Sequence, residues 1–294
     1  MRIRGNPMRI ARATWAIASA LALSGCQGAF FGMLNGGGAR VAARQTVTYS
    51  ESPSLALDVY QPATTTKPTA VAVFFYGGSW RGGKRSEYAF VGKALAQAGI
   101  LTLVADYRVF PQARFPAFEF DAARAVRWAR DHAGEYGGDP QRLFVVGHSA
   151  GGHIAALLGT DARYLAAEGM RPKDLAGIVG IAGAYDFLPL TDPKLIEVFG
   201  DESEWPQSQP VNFVDGDEPP FLLLHGTDDR VVWPRNSETL ETRLRHAGVP
   251  VTLQRYAGLG HFRIIAAVRF PKLAPTLADM AAFLRDTAPV DPAR

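Results

Sequence analysis

Ser149 lies at the centre of the segment Gly147-His148-Ser149-Ala150-Gly151, which matches the pattern Gly-x-Ser-x-Gly. The preceding residues 143–146 are apolar and rich in β-formers, and residues 154–158 have the composition of a buried helix. A nucleophilic serine must stand on a tight strand-to-helix turn, where only small residues fit two positions away on either side. The pattern therefore predicts a nucleophile at Ser149, whereas the plainer interpretation is a glycine-rich turn with a helix-capping serine.

Ser149 would need a histidine to take its proton and an acid to fix the tautomer of that histidine and stabilise its cation. Both residue types follow in the order serine, acid, histidine, which is typical of a nucleophile on such a turn. The acid candidates are Asp228 and Asp229, shortly after the apolar residues 221–224, and the histidine is His261 in a glycine-rich loop. The other histidines are not predicted to reach the proton of Ser149: His132, His148, His153, His225 and His246.

A second glycine-rich turn, Tyr76-Gly77-Gly78-Ser79-Trp80, follows the apolar residues 70–75. Glycines at the end of a strand allow the backbone to approach a ligand closely. Backbone N–H groups placed there can bind an oxyanion. Taken alone, a plain turn after a core strand explains this segment equally well. Together with the serine turn, the segment favours an oxyanion site.

These motifs resemble those of α/β-hydrolase esterases and occur in the order of that superfamily. The glycine turn is similar to the His-Gly-Gly-x-Trp loop of the esterases, with Tyr76 where the family usually has a histidine that props the loop. Two more family motifs, Asp-Tyr-Arg and Phe-Pro-Ala, begin at Asp106 and Phe115. Over residues ~46–285 the chain is similar to bacterial carboxylesterases of the hormone-sensitive-lipase and feruloyl-esterase-like group.

The resemblance implies a catalytic triad and an oxyanion hole. The segment that begins at His225 is similar to the family's His-Gly-x-x-Asp-x-x-Val turn, which places the acid at Asp229, with Asp228 as the alternative. Asp106 and Arg108 are interpreted as charges that brace loops rather than as catalytic groups. The implied triad is Ser149, Asp229 and His261, and the implied oxyanion amides are those of Gly78, Ser79 and Ala150.

Predicted strands alternate with predicted helices along the chain, which indicates an α/β fold with helices on both faces of the sheet. An antiparallel hairpin is predicted at the start, and the C-terminal helix is predicted over residues 264–285. Together with the resemblance, this predicts an α/β-hydrolase domain over residues 46–288 with a mostly parallel eight-stranded sheet. Residues 187–220 are predicted to form a small cap, because a connection of that length carries structure or function. The candidate walls of an acyl pocket are Trp80, Phe187, Leu188 and Trp205.

The first 25 residues have the composition of a targeting segment. Arginines up to Arg12 precede the apolar residues 13–23, a stretch too short to span a bilayer. The segment ends in Leu23-Ser24-Gly25-Cys26, which resembles a bacterial lipobox, in which the cysteine is acylated after cleavage. We therefore expect a lipoprotein signal peptide over residues 1–25, a tether over 26–45, and a lipid-anchored protein of the cell envelope, at the outer membrane or in the periplasm. An ordinary signal peptide with an incidental cysteine is the alternative.

Charge and composition limit the other function classes. The net charge of +3 comes from the first 25 residues, which contain four arginines and no acidic residue. The remaining chain therefore has a net charge of −1. This balance argues against nucleic-acid binding. The sequence has no histidine or cysteine pair with metal-ligand spacing and no phosphate-binding or dinucleotide motif, so we expect neither a metal nor a cofactor.

The most direct reading of the resemblance is a serine carboxylesterase that hydrolyses short-chain or aryl esters, with a small-molecule ester as its substrate. Three alternatives stay open at this point. One is an amide-cleaving relative similar to kynurenine formamidases or serine peptidases, and another is an esterase of the acetyl-xylan or feruloyl type. The third is a catalytically inactive lipoprotein that binds a ligand.

Overall fold

The computed structural model describes residues 28–36, 43–63 and 68–290. The predicted signal peptide, Cys26 and part of the predicted tether lie outside these residues. Within the predicted tether, residues 28–35 form helix α1, although the sequence there has no clear period. None of the helices in the described ranges is long and apolar enough to cross a membrane. Residues 39–294 form a separate compact unit, which carries the sheet.

One sheet with the strand order β1-β2-β4-β3-β5-β6-β7-β8 organises this unit. Its strands are β1 (Ala43–Glu51), β2 (Ser54–Gln61), β3 (Thr69–Phe75), β4 (Leu101–Ala105), β5 (Gly138–His148), β6 (Gly177–Ile181), β7 (Phe221–Gly226) and β8 (Val251–Tyr256). Strand β2 pairs antiparallel with both β1 and β4, and the other neighbours are parallel. The predicted eight-stranded, mostly parallel sheet and the predicted hairpin are therefore confirmed.

The helices cover both faces of the sheet, as the alternating pattern predicts. In the described part of the larger unit they are α2 (Ala89–Gln97), α3 (Ala117–His132), α4 (Ala150–Thr160), α5 (Ala162–Ala166), α6 (Pro193–Phe199), α7 (Arg235–His246), α8 (His261–Ala266) and α9 (Thr276–Asp286). A Cβ on Gly177 of β6 would lie 2.9 Å from Phe283 of α9, whereas a Cβ on Gly159 of α4 would lie 2.7 Å from Ile178. Because consecutive strand residues point to opposite faces, α4 and α9 cover opposite sides of the sheet.

The C-terminal helix differs from the prediction. The sequence predicts one helix over residues 264–285, but the structure has two, α8 and α9, separated by turns. Pro271 and Pro275 lie between them, and a proline both lacks the N–H of a helical hydrogen bond and disfavours helical backbone in the residue before it. Helix α8 also starts earlier than predicted, so that His261 is its first residue rather than part of the preceding loop.

Charged side chains brace the loops at the carboxyl ends of the strands. Asp121 of α3 is fully buried and accepts hydrogen bonds from the backbone N–H and the guanidinium of Arg108 at 2.8–3.1 Å. Arg124 adds a further bond of 3.0 Å to the same carboxylate. Asp106 pairs with Arg85, which also binds the buried Asp58. The interpretation of Asp106 and Arg108 as bracing charges is thus confirmed.

Replacing Asp121 is expected to destabilise the protein strongly. Asp121→Ala removes the buried acceptor of Arg108 and Arg124, and leaving such donors without their partner costs about 1–3 kcal/mol, because the two guanidinium groups are only partly buried. The matched control is Asp131→Ala on the same helix, where the exposed Arg127–Asp131 pair contributes less than about 1 kcal/mol. The free energy of unfolding in urea, followed by circular dichroism, measures both. Equal losses in the two variants would contradict the bracing role.

Candidate active site

The turn between β5 and α4 presents Ser149 under backbone strain. Its φ of 57° and ψ of −119° lie in a region that L-residues rarely adopt. A Cβ on Gly147 would overlap the carbonyl of Gly151, and one on Gly151 would overlap the carbonyl of Phe75. Both positions of the motif therefore require glycine because backbone atoms pass there, as the predicted strand-to-helix turn demands. The N–H of Ser149 donates to the carbonyl of Ile181 at 2.9 Å, which ties the turn to β6.

The structure brings Ser149, His261 and Asp229 together in one buried chain of hydrogen bonds. Ser149 Oγ lies 2.9 Å from His261 Nε2, and His261 Nδ1 lies 2.7 Å from Asp229 Oδ2. The three residues are at most 8% exposed. A carboxylate only accepts hydrogen bonds, so Nδ1 carries the proton and the lone pair of Nε2 faces the serine hydroxyl. The arrangement is that of a nucleophile and its general base, with the acid fixing the tautomer.

Asp229 is held as a carboxylate by its surroundings. Its Oδ1 accepts hydrogen bonds from the N–H groups of Val231 and Val232 at 2.9 and 3.0 Å. Burial acts to raise the pKa of Asp229, but the hydrogen bonds from His225 and His261 outweigh it and hold that pKa below its usual range. Asp228, the alternative acid, is exposed, and its carboxylate accepts only from the hydroxyl of Thr227 in the described structure. Of the two candidates, the geometry selects Asp229.

His225 is a neighbour of the acid that the sequence interpretation missed. As predicted, it does not reach the proton of Ser149. Its Nε2 donates to the carbonyl of Val232 at 2.9 Å and lies 3.4 Å from Asp229 Oδ2, and its Nδ1 accepts from the hydroxyl of Ser237 at 2.6 Å. The ring therefore supports both the carboxylate and the turn that carries it. The signal that could have revealed it is the four-residue spacing between His225 and Asp229 across a tight turn.

The predicted oxyanion loop passes next to Ser149. A Cβ on Gly77 would lie 2.9 Å from the Cβ of Ser149, so the residues that follow Gly77 pass close to the hydroxyl. Gly78 and Ser79 both have positive φ angles, 148° and 54°, and Ala150 is the first residue of α4. The N–H groups of these three residues have no hydrogen-bond acceptor in the described parts of the chain. They are available to an anion beside Ser149, the arrangement that stabilises a tetrahedral oxyanion.

Tyr76, in the position of the family's histidine, supports this loop through Tyr107. The two rings are stacked with centroids 4.6 Å apart. Tyr107 donates its hydroxyl to the carbonyl of Tyr76 at 2.8 Å, and Tyr76 donates its own to the carbonyl of Tyr107 at 3.3 Å. The reciprocal pair fixes the strand end from which the loop departs. A tyrosine therefore serves here as the support of the loop.

Of the predicted pocket residues, the structure brings Trp80 and Phe187 together. Their rings are stacked with centroids 5.8 Å apart. Phe199 and His153, which the prediction did not include, complete this aromatic cluster at 4.8 and 5.0 Å from Trp80. Trp205 instead donates its indole N–H to the carbonyl of Gly200 within its own segment. Leu188 follows Phe187 in the sequence and is half-buried.

The site as a whole can carry out acyl transfer. It has a nucleophile, a base with a fixed tautomer, a carboxylate to stabilise the cation of that base, and N–H groups for a developing oxyanion. In the described ranges, no group of three histidine, cysteine, aspartate or glutamate side chains is placed to hold a metal ion.

Replacing Asp229 is expected to suppress the nucleophilicity of Ser149. In Asp229→Asn the base loses the partner that fixes its tautomer, a change that lowers rates about 10,000-fold in comparable triads. The rate of covalent labelling by a fluorophosphonate probe measures the effect, and Asp228→Asn is the matched control, with a rate within about twofold of the parent. If the labelling rate fell more in Asp228→Asn than in Asp229→Asn, the assignment of the acid to Asp229 would be wrong.

Comparisons with known proteins agree with this geometry. The BD-FAE family model matches residues 57–244, which include Ser149 and Asp229 but end before His261. The chain is 32% identical over 273 residues to Esterase LipC of Mycobacterium tuberculosis, a match that covers 83% of this chain and 65% of LipC. It is 29% identical over 240 residues to a probable isoprenylcysteine alpha-carbonyl methylesterase of Arabidopsis thaliana, covering 74% of this chain and 50% of that protein. The chain thus spans between half and two thirds of the length of these curated relatives.

A solved structure shows the same architecture. The esterase Est2 of Thermogutta terrifontis with bound butyrate superposes with a TM-score of 0.71 at 25% sequence identity. The superposition covers 85% of this chain and 96% of that one. A structure described as an arylesterase superposes with a TM-score of 0.76 at 22% identity and supports the fold alone.

Proposed function

The chain belongs to the BD-FAE family and has the α/β-hydrolase fold, and from this premise we propose that it is a serine carboxylesterase acting on short-chain or aryl esters. The observation that carries the proposal is the buried chain from Ser149 through His261 to Asp229. It lies beside the amides of Gly78, Ser79 and Ala150, which have no acceptor among the described residues. The names of the relatives, an esterase and a methylesterase, support ester hydrolysis.

In the first half of the reaction, Nε2 of His261 takes the proton of Ser149 while Oγ attacks the ester carbonyl carbon. The carbonyl oxygen becomes an oxyanion and accepts hydrogen bonds from the amides of Gly78, Ser79 and Ala150. Asp229 stabilises the imidazolium that forms. The carbon–oxygen ester bond then breaks, the alcohol leaves with the proton from His261, and the acyl group stays on Ser149.

In the second half, a water molecule gives a proton to His261 and its oxygen attacks the acyl carbon. The same amides hold the second oxyanion. When this intermediate collapses, the carboxylic acid leaves and Oγ of Ser149 recovers its proton from His261. No cofactor enters these steps. Loss of one oxyanion donor in such sites slows turnover about 100- to 1,000-fold.

The aromatic cluster of Trp80, Phe187 and Phe199 favours a substrate with a small acyl group. Trp80 follows directly on Ser79, and its buried ring is enclosed by the other two. We therefore propose Trp80 and Phe187 as the wall of the acyl pocket, with the segment that contains Leu188 and Trp205 as the cap-like insertion. Aromatic side chains are typical walls of small-molecule pockets, and those of Trp80 and Phe187 would limit the space for a long acyl chain.

Ser149→Ala is expected to abolish hydrolysis of nitrophenyl acetate and butyrate, because in the described structure Nε2 of His261 is hydrogen-bonded to the hydroxyl of Ser149. Its circular dichroism spectrum should match the parent, since only one oxygen is removed. A panel of nitrophenyl esters from acetyl to long acyl chains, with matched anilides, acetyl-xylan and feruloyl esters, identifies the substrate class. Faster cleavage of the anilides would favour the amide-cleaving alternative. Ester hydrolysis that survives in Ser149→Ala would overturn the mechanism.

We further propose that the mature protein is a lipoprotein of the bacterial cell envelope, anchored through Cys26. The proposal rests on the basic and apolar residues of the first 25 positions and on Leu23-Ser24-Gly25-Cys26. An acylated N-terminal cysteine attaches a protein to a membrane without spanning it.

Intact-mass analysis of the protein expressed in a bacterial host checks this anchor. We expect loss of residues 1–25 and added mass from acyl chains on Cys26. Cys26→Ser should abolish both the acylation and the recovery of the protein with membranes, while ester hydrolysis stays unchanged. An unmodified Cys26 in the parent protein would contradict the proposal.

A further inference from the structure

His148 is a buried imidazole next to the nucleophile that the proposed mechanism does not use. It is the last residue of β5 and is 1% exposed. Its Nδ1 lies 3.0 Å from the hydroxyl of Tyr88, and its Nε2 lies 3.3 Å from the carbonyl oxygen of His261. Both ring nitrogens are therefore engaged, one of them by the backbone of the general base itself.

The partners of His148 determine where its proton lies. A carbonyl oxygen only accepts, so Nε2 of His148 carries the hydrogen and donates it to His261. In the neutral ring Nδ1 is then an acceptor, and the hydroxyl of Tyr88 donates to it. The oxygen of Tyr88 in turn accepts from the backbone N–H of Gly77. Burial and the neighbouring His261 lower the pKa of His148 well below its usual value, in agreement with this neutral tautomer.

This directional chain joins three parts of the site. It begins at Gly77, the residue before the two oxyanion amides of the loop, and it ends at the backbone of His261. Between them His148 is bonded covalently to Ser149. The packing leaves little freedom, since a Cβ on Gly77 would lie 3.0 Å from Nδ1 of His148. The segments that meet here are far apart in sequence.

We propose that His148 is a positioning residue, which holds the backbone of His261 and, through Tyr88, the oxyanion loop in register with Ser149. The inference rests on the proposed esterase function and extends it. The bond to His261 is made to its backbone carbonyl, so it places the base without competing for the reacting nitrogen. The two rings lie with centroids 4.9 Å apart, and the lone pair of His148 is occupied by Tyr88, so a proton on His261 passes to substrate rather than to its neighbour.

Three substitutions of His148 separate its two hydrogen bonds. His148→Phe keeps a ring but removes both bonds. His148→Asn places an amide oxygen near Nδ1 and keeps only the bond to Tyr88. His148→Gln reaches the position of Nε2 with its amide N–H groups and keeps the bond to the carbonyl of His261. We expect kcat for nitrophenyl butyrate to fall at least about tenfold in the Phe and Asn variants, with KM within about threefold of the parent. The kcat of the Gln variant, which loses only the bond to Tyr88, is expected to fall less than that of either.

Tyr88→Phe tests the other end of the chain. It removes the hydroxyl that accepts from Gly77 and donates to His148, so kcat is expected to fall about tenfold while the substrate still binds. The matched control is Tyr256→Phe, which removes a buried hydroxyl bonded to Asp279 at 2.6 Å and should leave kcat unchanged. Thermal unfolding of each variant shows whether a fall in kcat merely follows a loss of stability.

The outcomes distinguish this inference from the proposed function. If the parent hydrolyses the ester but the Phe and Asn variants keep kcat within about twofold, the positioning role is wrong. The positioning role is also wrong if kcat of His148→Gln is no higher than that of His148→Asn. If His148→Phe fails to fold, the comparison of Gln with Asn still decides. If the parent labels with a fluorophosphonate but hydrolyses no ester, the proposed function fails instead, and the labelling rates of the variants still report the placement of His261.

Discussion

The left-handed backbone at Ser149 is the constraint on which the site depends. Such a conformation costs on the order of 1–3 kcal/mol and persists only where its surroundings enforce it. Here β5 is flanked by parallel strands on both sides, and every residue of α4 is buried. The turn has no room to relax, because backbone atoms fill the space beside Gly147 and Gly151. Packing of the strand and the helix thus places the hydroxyl of Ser149 at the carboxyl edge of the sheet.

One carboxylate and three imidazoles lie near Ser149 at that edge of the sheet. His148, His225 and His261 each have a proton placed by a fixed neighbour, and all three use both ring nitrogens in hydrogen bonds to the protein. Only His261 turns a lone pair toward a reactive hydroxyl. Asp229, kept ionised by its hydrogen bonds, is placed to balance the cation that the proposed mechanism forms on His261. Specific tautomers, rather than an excess of charge, therefore determine which imidazole faces the hydroxyl of Ser149.

The oxyanion loop and the acyl side of the site share one strained segment. Ser79 and Trp80 both have positive φ angles, 54° and 56°, so the backbone that presents the amides also turns the indole of Trp80 into the aromatic cluster. The stacked pair of Tyr76 and Tyr107 anchors its beginning, and the rings of Phe187 and Phe199 enclose its end. In this arrangement the proposed oxyanion donors and the proposed wall of the acyl pocket are coupled through a few residues.

The chemistry-bearing motifs and the strand–helix alternation are local patterns, so Ser149, His261, the hairpin and the parallel sheet could be predicted from residue types and spacing. The choice of Asp229 over Asp228 depends on which side chain the turn buries, and the resemblance only suggested it. The break between α8 and α9 was missed because the apolar period continues across two prolines. Tertiary structure alone placed Phe199 and His153 against Trp80, His225 against the acid, and His148 between Tyr88 and His261. These contacts join segments distant in sequence, and no periodicity within a single segment encodes which side chains meet across a sheet edge.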